Sequence, residues 1–456
     1  MPKDNPYSRI FIQDGLSLKD AQDRYQTRRC LFRNTHPGHN IVAGIDRDLD
    51  ATEPWSICYS PLYQDPLFLY LSGINQPGSV LYLGPNHQET LFIAPKNAKK
   101  TFWEGTHFGS GARENIQELQ SITGIQDIKP LSELYPTLDE HFHQDPHINL
   151  FWHDKSPKRP LIKDSHFRFK QRLSQAMKRR GQSPQFNNIA HTATQQRLVL
   201  DPIDQQNLEK ANIKTSQIFT LLCQKLSKMQ SEQDVNGLIK GEIARLSTSG
   251  QSFPPIVAYG KNATTLHYHR NESPFQNSGM LLLDFGVREH SMPADISRSI
   301  PINGRFNPLE KCLYQLVLET QKYVQSLVKE GVTLNALNQS CWTFLEQALK
   351  DRFLSQGGSM TRDYQQQPHQ VGHLIGIAVH DGDPYRNDAK HPLKAGMVIS
   401  NEPGLYGHFS LETPTKKYEA DIGIRIEDNL LVTKKGCQNL SESCPKEIQE
   451  LEALIN

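Results

Sequence analysis

Apolar residues recur every three or four positions over 203–229, 307–328 and 333–354, and this period predicts three long helices. The middle one carries its own start signals. Asn307 is a candidate N-cap, Pro308 occupies the first helical position, Glu310 completes a capping box, and Leu309, Leu313, Leu316, Val317 and Val324 share one stripe. Between and beyond these helices lie strand-like runs, SGMLLLDFGV, ADISRSIPI, AGMVISNEPG and DIGIRIEDNLLVT, each interrupted at one end by glycine, proline or a charge. Earlier in the chain SVLYLGP and ETLFIAP read as strands closed by turn residues, and ENIQELQSITG as a helix stopping at glycine. The predicted fold class is α+β, with a smaller mixed α/β domain first.

A basic run, SPKRPLIKDSHFRFKQRLSQAMKRRGQSP at 156–184, breaks the composition and reads as a linker or a solvated helix face. The domain boundary is placed near its end, giving 1–182 and 183–456. A length of 456 residues agrees with two domains. With 50 Lys+Arg against 49 Asp+Glu, the chain has no electrostatic reason to seek nucleic acid or an anionic membrane. The start MPKDNPYSRIFIQDG has no apolar signal core, and no window approaches the roughly 18 apolar residues of a membrane span, so a cytoplasmic enzyme is expected. Seven scattered cysteines without CxxC spacing argue against a disulfide framework or a thiolate metal site and read as small buried hydrophobes.

The polar residues inside the strands carry the candidate chemistry. Asp284 and Asp295 lie symmetrically about Glu289 and His290, so a hairpin turning there would set them opposite each other, about 5 Å apart at Cβ. Two ionised carboxylates that close repel unless a cation or proton intervenes, although aspartates also flank turns for conformational reasons. In DIGIRIED, Ile422, Ile424 and Ile426 alternate with Gly423, Arg425 and Glu427, which describes either an ordinary amphipathic strand or a core face backed by a face of charge. Glu402 ends another apolar run just before a Pro-Gly turn. His369, His373 and His380 fall within HQVGHLIGIAVHD, where imidazoles serve either as hydrogen-bonded core residues or as ligands. A mixed His and carboxylate set favours Mn²⁺, Co²⁺, Zn²⁺ or Fe²⁺ without choosing among them.

In chain order, Asp284, Asp295, His373, Glu402 and Glu427, within DFG…ADISR, HxxGHxxGIxVHD, NEPGLY and GIRIED, resemble the five metal ligands of the pita-bread metallopeptidases, most closely the aminopeptidase P family. WSICYSPLYQDPLFLYLSGINQPGSVLYL and ETLFIAPKNAKKTFWEG look like the N-terminal domain of that family. The resemblance implies a C-terminal pita-bread (creatinase/aminopeptidase-like) catalytic domain behind an aminopeptidase P-type N-terminal domain. It also implies two divalent metal ions, usually Mn²⁺, and a homo-oligomer, dimer or tetramer. The implied reaction releases the N-terminal residue from peptides with proline second, through hydroxide generated between the metals. Carried over by residue, Asp284 chelates one ion, Asp295 and Glu427 bridge, and His373 and Glu402 hold the other, with Glu402 also the general base. His380 matches an oxyanion donor, His267 in TTLHYHRNESP a substrate-orienting histidine, and His369 and Arg425 match substrate-binding positions by the proline pocket and the metal shell.

Three departures touch the motifs: Gln370 follows His369 where glycine is usual, Ser291-Met292-Pro293-Ala294 replaces Gly-Tyr-Ala-Gly, and Asn401 precedes Glu402 where Val, Ile or Thr is usual. None removes a ligand. The alternatives are a prolidase, confined to Xaa-Pro dipeptides, and a non-catalytic peptide-binding protein on the same fold.

Overall fold

In this computed structural model the described residues are 10–45, 64–142, 145–152, 165–361, 367–382 and 387–455, and they divide into two compact units. In the first, a six-stranded mixed sheet runs in the order Asp127–Pro130, Glu89–Ile93, Ser79–Leu83, His39–Ala43, His147–Leu150, Gln185–Asn188. Its three central strands pair antiparallel and its outer pairings are parallel. Ile41, Val80, Tyr82, Phe92 and Ile148 build its core with Leu134 and Leu138. The run ENIQELQSITG is the helix Arg113–Thr123, stopped by Gly124 at φ 73°.

The boundary expected at 182/183 falls later, at Arg197, because Gln185–Asn188 is the sixth strand of this sheet and pairs in parallel with His147–Leu150. Most of the basic run is the helix Ser165–Arg179, whose Leu173 and Met177 enter the same core while Lys170 lies 3.5 Å over the Trp152 ring. Residues 156–164 lie outside the described residues.

The second unit contains the three predicted helices, as Pro202–Lys225, Pro308–Leu327 and Leu334–Ala348, the last running on through a π turn at Leu349–Phe353. Asn307 and Glu310 form the expected capping box. A further helix, Glu232–Leu246, and a C-terminal one, Ile448–Ile455, complete this layer. The strands alternate as their sequences require. Leu281, Leu283, Phe285, Ile296, Ile300, Ile422, Ile424 and Ile426 all join one core with the helices, leaving Asp284, Asp295, Ser297, Gly423, Arg425 and Glu427 to the other side.

Strand Met280–Phe285 pairs antiparallel with Ile296–Pro301, but not in the register that the symmetry of the aspartates suggests. The two-residue loop is His290-Ser291, with His290 at φ 52°, so Asp284 faces Ser297 and Asp295 lies diagonally across. A slip of two keeps both carboxylates on one face, whereas a slip of one would have separated them. DIGIRIEDNLLVT is two strands, Lys417–Arg425 and Asp428–Val432, that join different sheets on either side of Glu427. In the histidine run only Leu374–Ile375 is strand; the remainder is loop. Among the described cysteines, Cys223, Cys341 and Cys444 are buried and Cys30, Cys312 and Cys437 half-buried, all free; Cys58 lies outside the described residues. No described helix is long and apolar enough to cross a membrane.

Candidate metal centre

Three chain segments deliver carboxylates to one point. Asp295 is fixed by its own backbone: its N–H donates to Asn429 Oδ1 at 3.0 Å and its carbonyl accepts from Asn429 Nδ2 at 2.6 Å. Glu427 sits in the break between two strands, where its N–H donates to the Ser297 carbonyl at 3.0 Å and its Oε2 accepts from the Ser297 hydroxyl at 2.7 Å. Glu402 follows strand Val398–Asn401, and its N–H is held by the Val371 carbonyl at 2.8 Å.

The histidine loop is bound to the same strand. His373 N–H donates to Ser400 Oγ at 2.9 Å, Ser400 N–H donates to the His373 carbonyl at 2.9 Å, and a Cβ on Gly372 would lie 2.0 Å from the Ser400 carbonyl oxygen. Only glycine allows that approach. It puts His373 Nε2 at 3.3 Å from Asp295 Oδ2 and 3.7 Å from Glu402 Oε1.

The ligand atoms fall into overlapping groups, each within 4.8 Å: Asp284, Asp295 and Glu427; His373, Glu402 and Glu427; Asp295, His373 and His380. Asp295, Glu427 and His373 fall in two groups each, and Asp284, Glu402 and His380 in one. The fit to cations is visible in the polar accounting. Asp284 Oδ1 and Glu427 Oε1 are buried with no hydrogen-bond partner, whereas the neighbouring buried carboxylate of Asp428 is fully engaged by Arg298, Lys446, Gln321 and Asn439. Oxygen-rich donors with one imidazole suit hard or borderline divalent ions.

The electrostatics agree. Burial pushes the Asp284 carboxyl up to about 7, with Asp295 and Glu402 adding to the rise and Arg425 opposing it. Burial, then Asp295 and Glu402, hold Glu427 well above the usual carboxylate range. Burial would lower His373, but the hydrogen bond to Asp295 and the charge of Glu402 outweigh it and raise the imidazole. Carboxylates gathered so tightly need positive charge.

The remaining predicted residues divide. His380 is exposed, its ring 4.0 Å from that of His373. His369 is pinned by Nδ1 to the Gln370 carbonyl at 2.8 Å and by Nε2 to Tyr406 at 3.0 Å, with Trp342 edge-on at 5.6 Å; burial holds it below the ordinary imidazole value. His267 is exposed and also held low, by burial and then by Arg425 and His269. Arg425 lies at the metal-shell end of its expected place. It is buried, and its guanidinium is consumed internally by Asp284 at 2.6 Å, Ser297 at 2.8 Å and Tyr406 at 3.2 Å.

Sequence reasoning missed Ser297, Tyr406, Asn429 and Ser400. Ser297 was within reach, two positions after Asp295 on the same face, and Tyr406 closes NEPGLY; nothing local marks Asn429 or Ser400.

Residues 206–434 match metallopeptidase family M24 and residues 56–151 match the aminopeptidase P N-terminal domain. An Xaa-Pro aminopeptidase of Haemophilus influenzae is 30% identical over 410 residues, covering 88% of this chain and 90% of its own. Xaa-Pro aminopeptidase 3 of Rattus norvegicus is 29% identical over 404 residues, covering 86% and 77% respectively. Icp55 of Saccharomyces cerevisiae superposes with a TM-score of 0.78 at 25% identity, over 98% of this chain and 99% of that one. All five residues predicted as ligands lie inside the M24 match, on strands and loops that the likeness covers throughout, and the chain belongs to metallopeptidase family M24, in its aminopeptidase P branch with the pita-bread catalytic fold.

Proposed function

We infer that this chain is a metal-dependent Xaa-Pro aminopeptidase, releasing the N-terminal residue from peptides with proline in second position. The observation that carries the reading is the set of overlapping ligand groups, two of them joined through Glu427 and two through Asp295, with two buried oxygens left for cations. Two divalent ions, for which we propose Mn²⁺, supply Lewis acidity and an acidified water when bound. Asp284 serves one position, His373 and Glu402 the other, and Asp295 and Glu427 both.

Glu402 then acts as general base. Its Oε1 lies 3.3 Å from Ser400 Oγ and 3.7 Å from His373 Nε2, and it takes a proton from water and returns it to the departing proline nitrogen. His380, beside His373 and open to solvent, donates to the developing oxyanion. His267 orients the substrate at the scissile bond, and His369, fixed between Trp342 and Tyr406, walls the proline pocket. Arg425, between the proline pocket and the metal shell, fixes Asp284.

The full-length likeness to proteins named Xaa-Pro aminopeptidases favours this over a prolidase. The proposal extends to a homo-oligomer, dimer or tetramer, acting in the cytoplasm without nucleic acid or membrane, in keeping with the balanced charge. A panel of Xaa-Pro dipeptides and Xaa-Pro-Yaa tripeptides, offered to Mn²⁺-loaded protein, tests it. Tripeptides losing their first residue support the reading, dipeptide-only hydrolysis would transfer the chain to the prolidases, and binding without turnover would make it a peptide-binding protein.

A further inference from the structure

Glu232 is wholly buried, and no cation among the described residues pairs with it. It opens the helix Glu232–Leu246 behind the N-cap Ser231, where the helix end favours negative charge. Its Oε1 accepts from Tyr259 N–H at 2.7 Å and Asn262 Nδ2 at 2.9 Å; its Oε2 accepts from the Tyr268 hydroxyl at 2.9 Å and Ser273 N–H at 2.8 Å. A buried carboxylate is costly unless its lone pairs are met, and here all four donors come from one stretch, 259–273.

That stretch carries His267. It is pressed from another side as well: the turn Gly260–Thr264 meets strand Lys417–Arg425 so closely that a Cβ on Gly423 would lie 2.0 Å from the Ala263 carbonyl oxygen. The Tyr268 ring shares a small core with Ala263, Leu282 and Tyr406, the last being the hydroxyl that joins Arg425 to His369. The stretch is thus held against the site face by packing and tied to a helix end by one carboxylate.

We propose that Glu232 is a positioning residue for the peptidase reaction, fixing the 259–273 stretch so that His267 is held at the substrate cleft. It touches neither substrate nor metal ligand. The inference rests on the role given to His267 above. Replacing the carboxylate by an amide turns one acceptor into a donor facing either Tyr259 N–H and Asn262 or Tyr268 and Ser273 N–H. A backbone N–H cannot reverse, so the stretch must shift.

The test is a double-mutant cycle on the full chain loaded with Mn²⁺, using Glu232→Gln, His267→Ala and both together, with kcat and KM on an Xaa-Pro-Yaa tripeptide and metal content measured for each. Glu232→Gln should lower kcat on the order of 10-fold with metal content unchanged, and the double variant should fall no further than His267→Ala alone. An equal fold-loss from Glu232→Gln in both backgrounds, or none in either, overturns the proposal, because a merely structural carboxylate does not act through His267. A His267→Ala protein with wild-type turnover would remove both this inference and the role of His267 on which it rests, while wild-type protein that leaves the tripeptide intact would remove the activity itself. If Glu232→Gln does not fold, Tyr268→Phe deletes a single donor, keeps the ring in its core, and runs through the same cycle.

Discussion

Arg425 donates from Nη2 to Asp284 Oδ2 at 2.6 Å and leaves Oδ1 of the same carboxylate buried without a partner. One oxygen is oriented and the other offered. Arg425 in turn is anchored by Tyr406 and Ser297, and Ser297 also holds Glu427, so a single buried arginine aligns Asp284 and, through a serine, Glu427, the carboxylates proposed as a terminal and a bridging ligand.

Arg425→Ala should therefore weaken metal binding by about 10- to 100-fold, the usual cost of losing a group that orients a ligand. Arg425→Lys should be intermediate, since a lysine keeps the charge but cannot reach three partners with one planar fork. Metal titration of the purified variants reads this directly. Wild-type affinity in Arg425→Ala would mean that Asp284 needs no external alignment.

Metal removal provides a second expectation. Without cations Asp284, Asp295, Glu402 and Glu427 crowd one another, so Mn²⁺ should raise the thermal midpoint of the second unit and a chelator should abolish activity that Mn²⁺ restores. Glu427→Ala should remove most of the stabilisation because that side chain joins the group of Asp284 and Asp295 to that of His373 and Glu402. A midpoint indifferent to saturating Mn²⁺ would contradict the dinuclear reading.

Much of this centre was legible because alternation along a strand is a strict rule. Ile422 and Ile424 fix one face of their strand, which commits Arg425 to the other, and the alternation carries on through Ile426 and Glu427 just past the strand's end. The register of the aspartate hairpin was not legible, since it depends on which two residues take the turn, and His290 adopts φ 52° without being glycine or asparagine. The contacts of Arg425 were hidden for a different reason: Asp284, Ser297 and Tyr406 come from three separate strands, and no local pattern announces a contact across 141 positions. The helix Glu232–Leu246 had readable signals, Ser231 as N-cap with Asp234 beyond it, and escaped only because its apolar stripe is thin.

Proton linkage gives a third expectation, for the metal-free protein. Burial lifts Asp284 to about 7, above the roughly 3.9 of an unfolded aspartate. Between those values the native state keeps a proton that the unfolded state has shed. This group's contribution to stability is thus full below about pH 4 and is lost as pH rises through about 7. Because a ligand must be deprotonated, Mn²⁺ uptake should release protons and tighten as pH rises toward about 7. Calorimetry in buffers of different ionisation enthalpy measures the release, and a binding constant that stays flat from about pH 5 to 8 would argue against it.

The last expectation separates His380 from His373, whose rings lie only 4.0 Å apart. His373 is tied at its backbone to Ser400, points Nε2 at Asp295 and Glu402, and belongs to two ligand groups; His380 belongs to one and is exposed on the loop beyond. His373→Ala should accordingly lose metal and activity together, and both should respond to added Mn²⁺. His380→Ala should keep its metal while kcat falls by about 10²-fold or more, the loss expected of one donor to a developing oxyanion. If both imidazoles were instead only packing residues, each variant would show lower stability and soluble yield while its folded fraction turned over normally. Metal content, unfolding midpoint and kcat on the two proteins distinguish these cases. Equal loss of metal from both would make His380 a ligand, and the oxyanion would then need another donor.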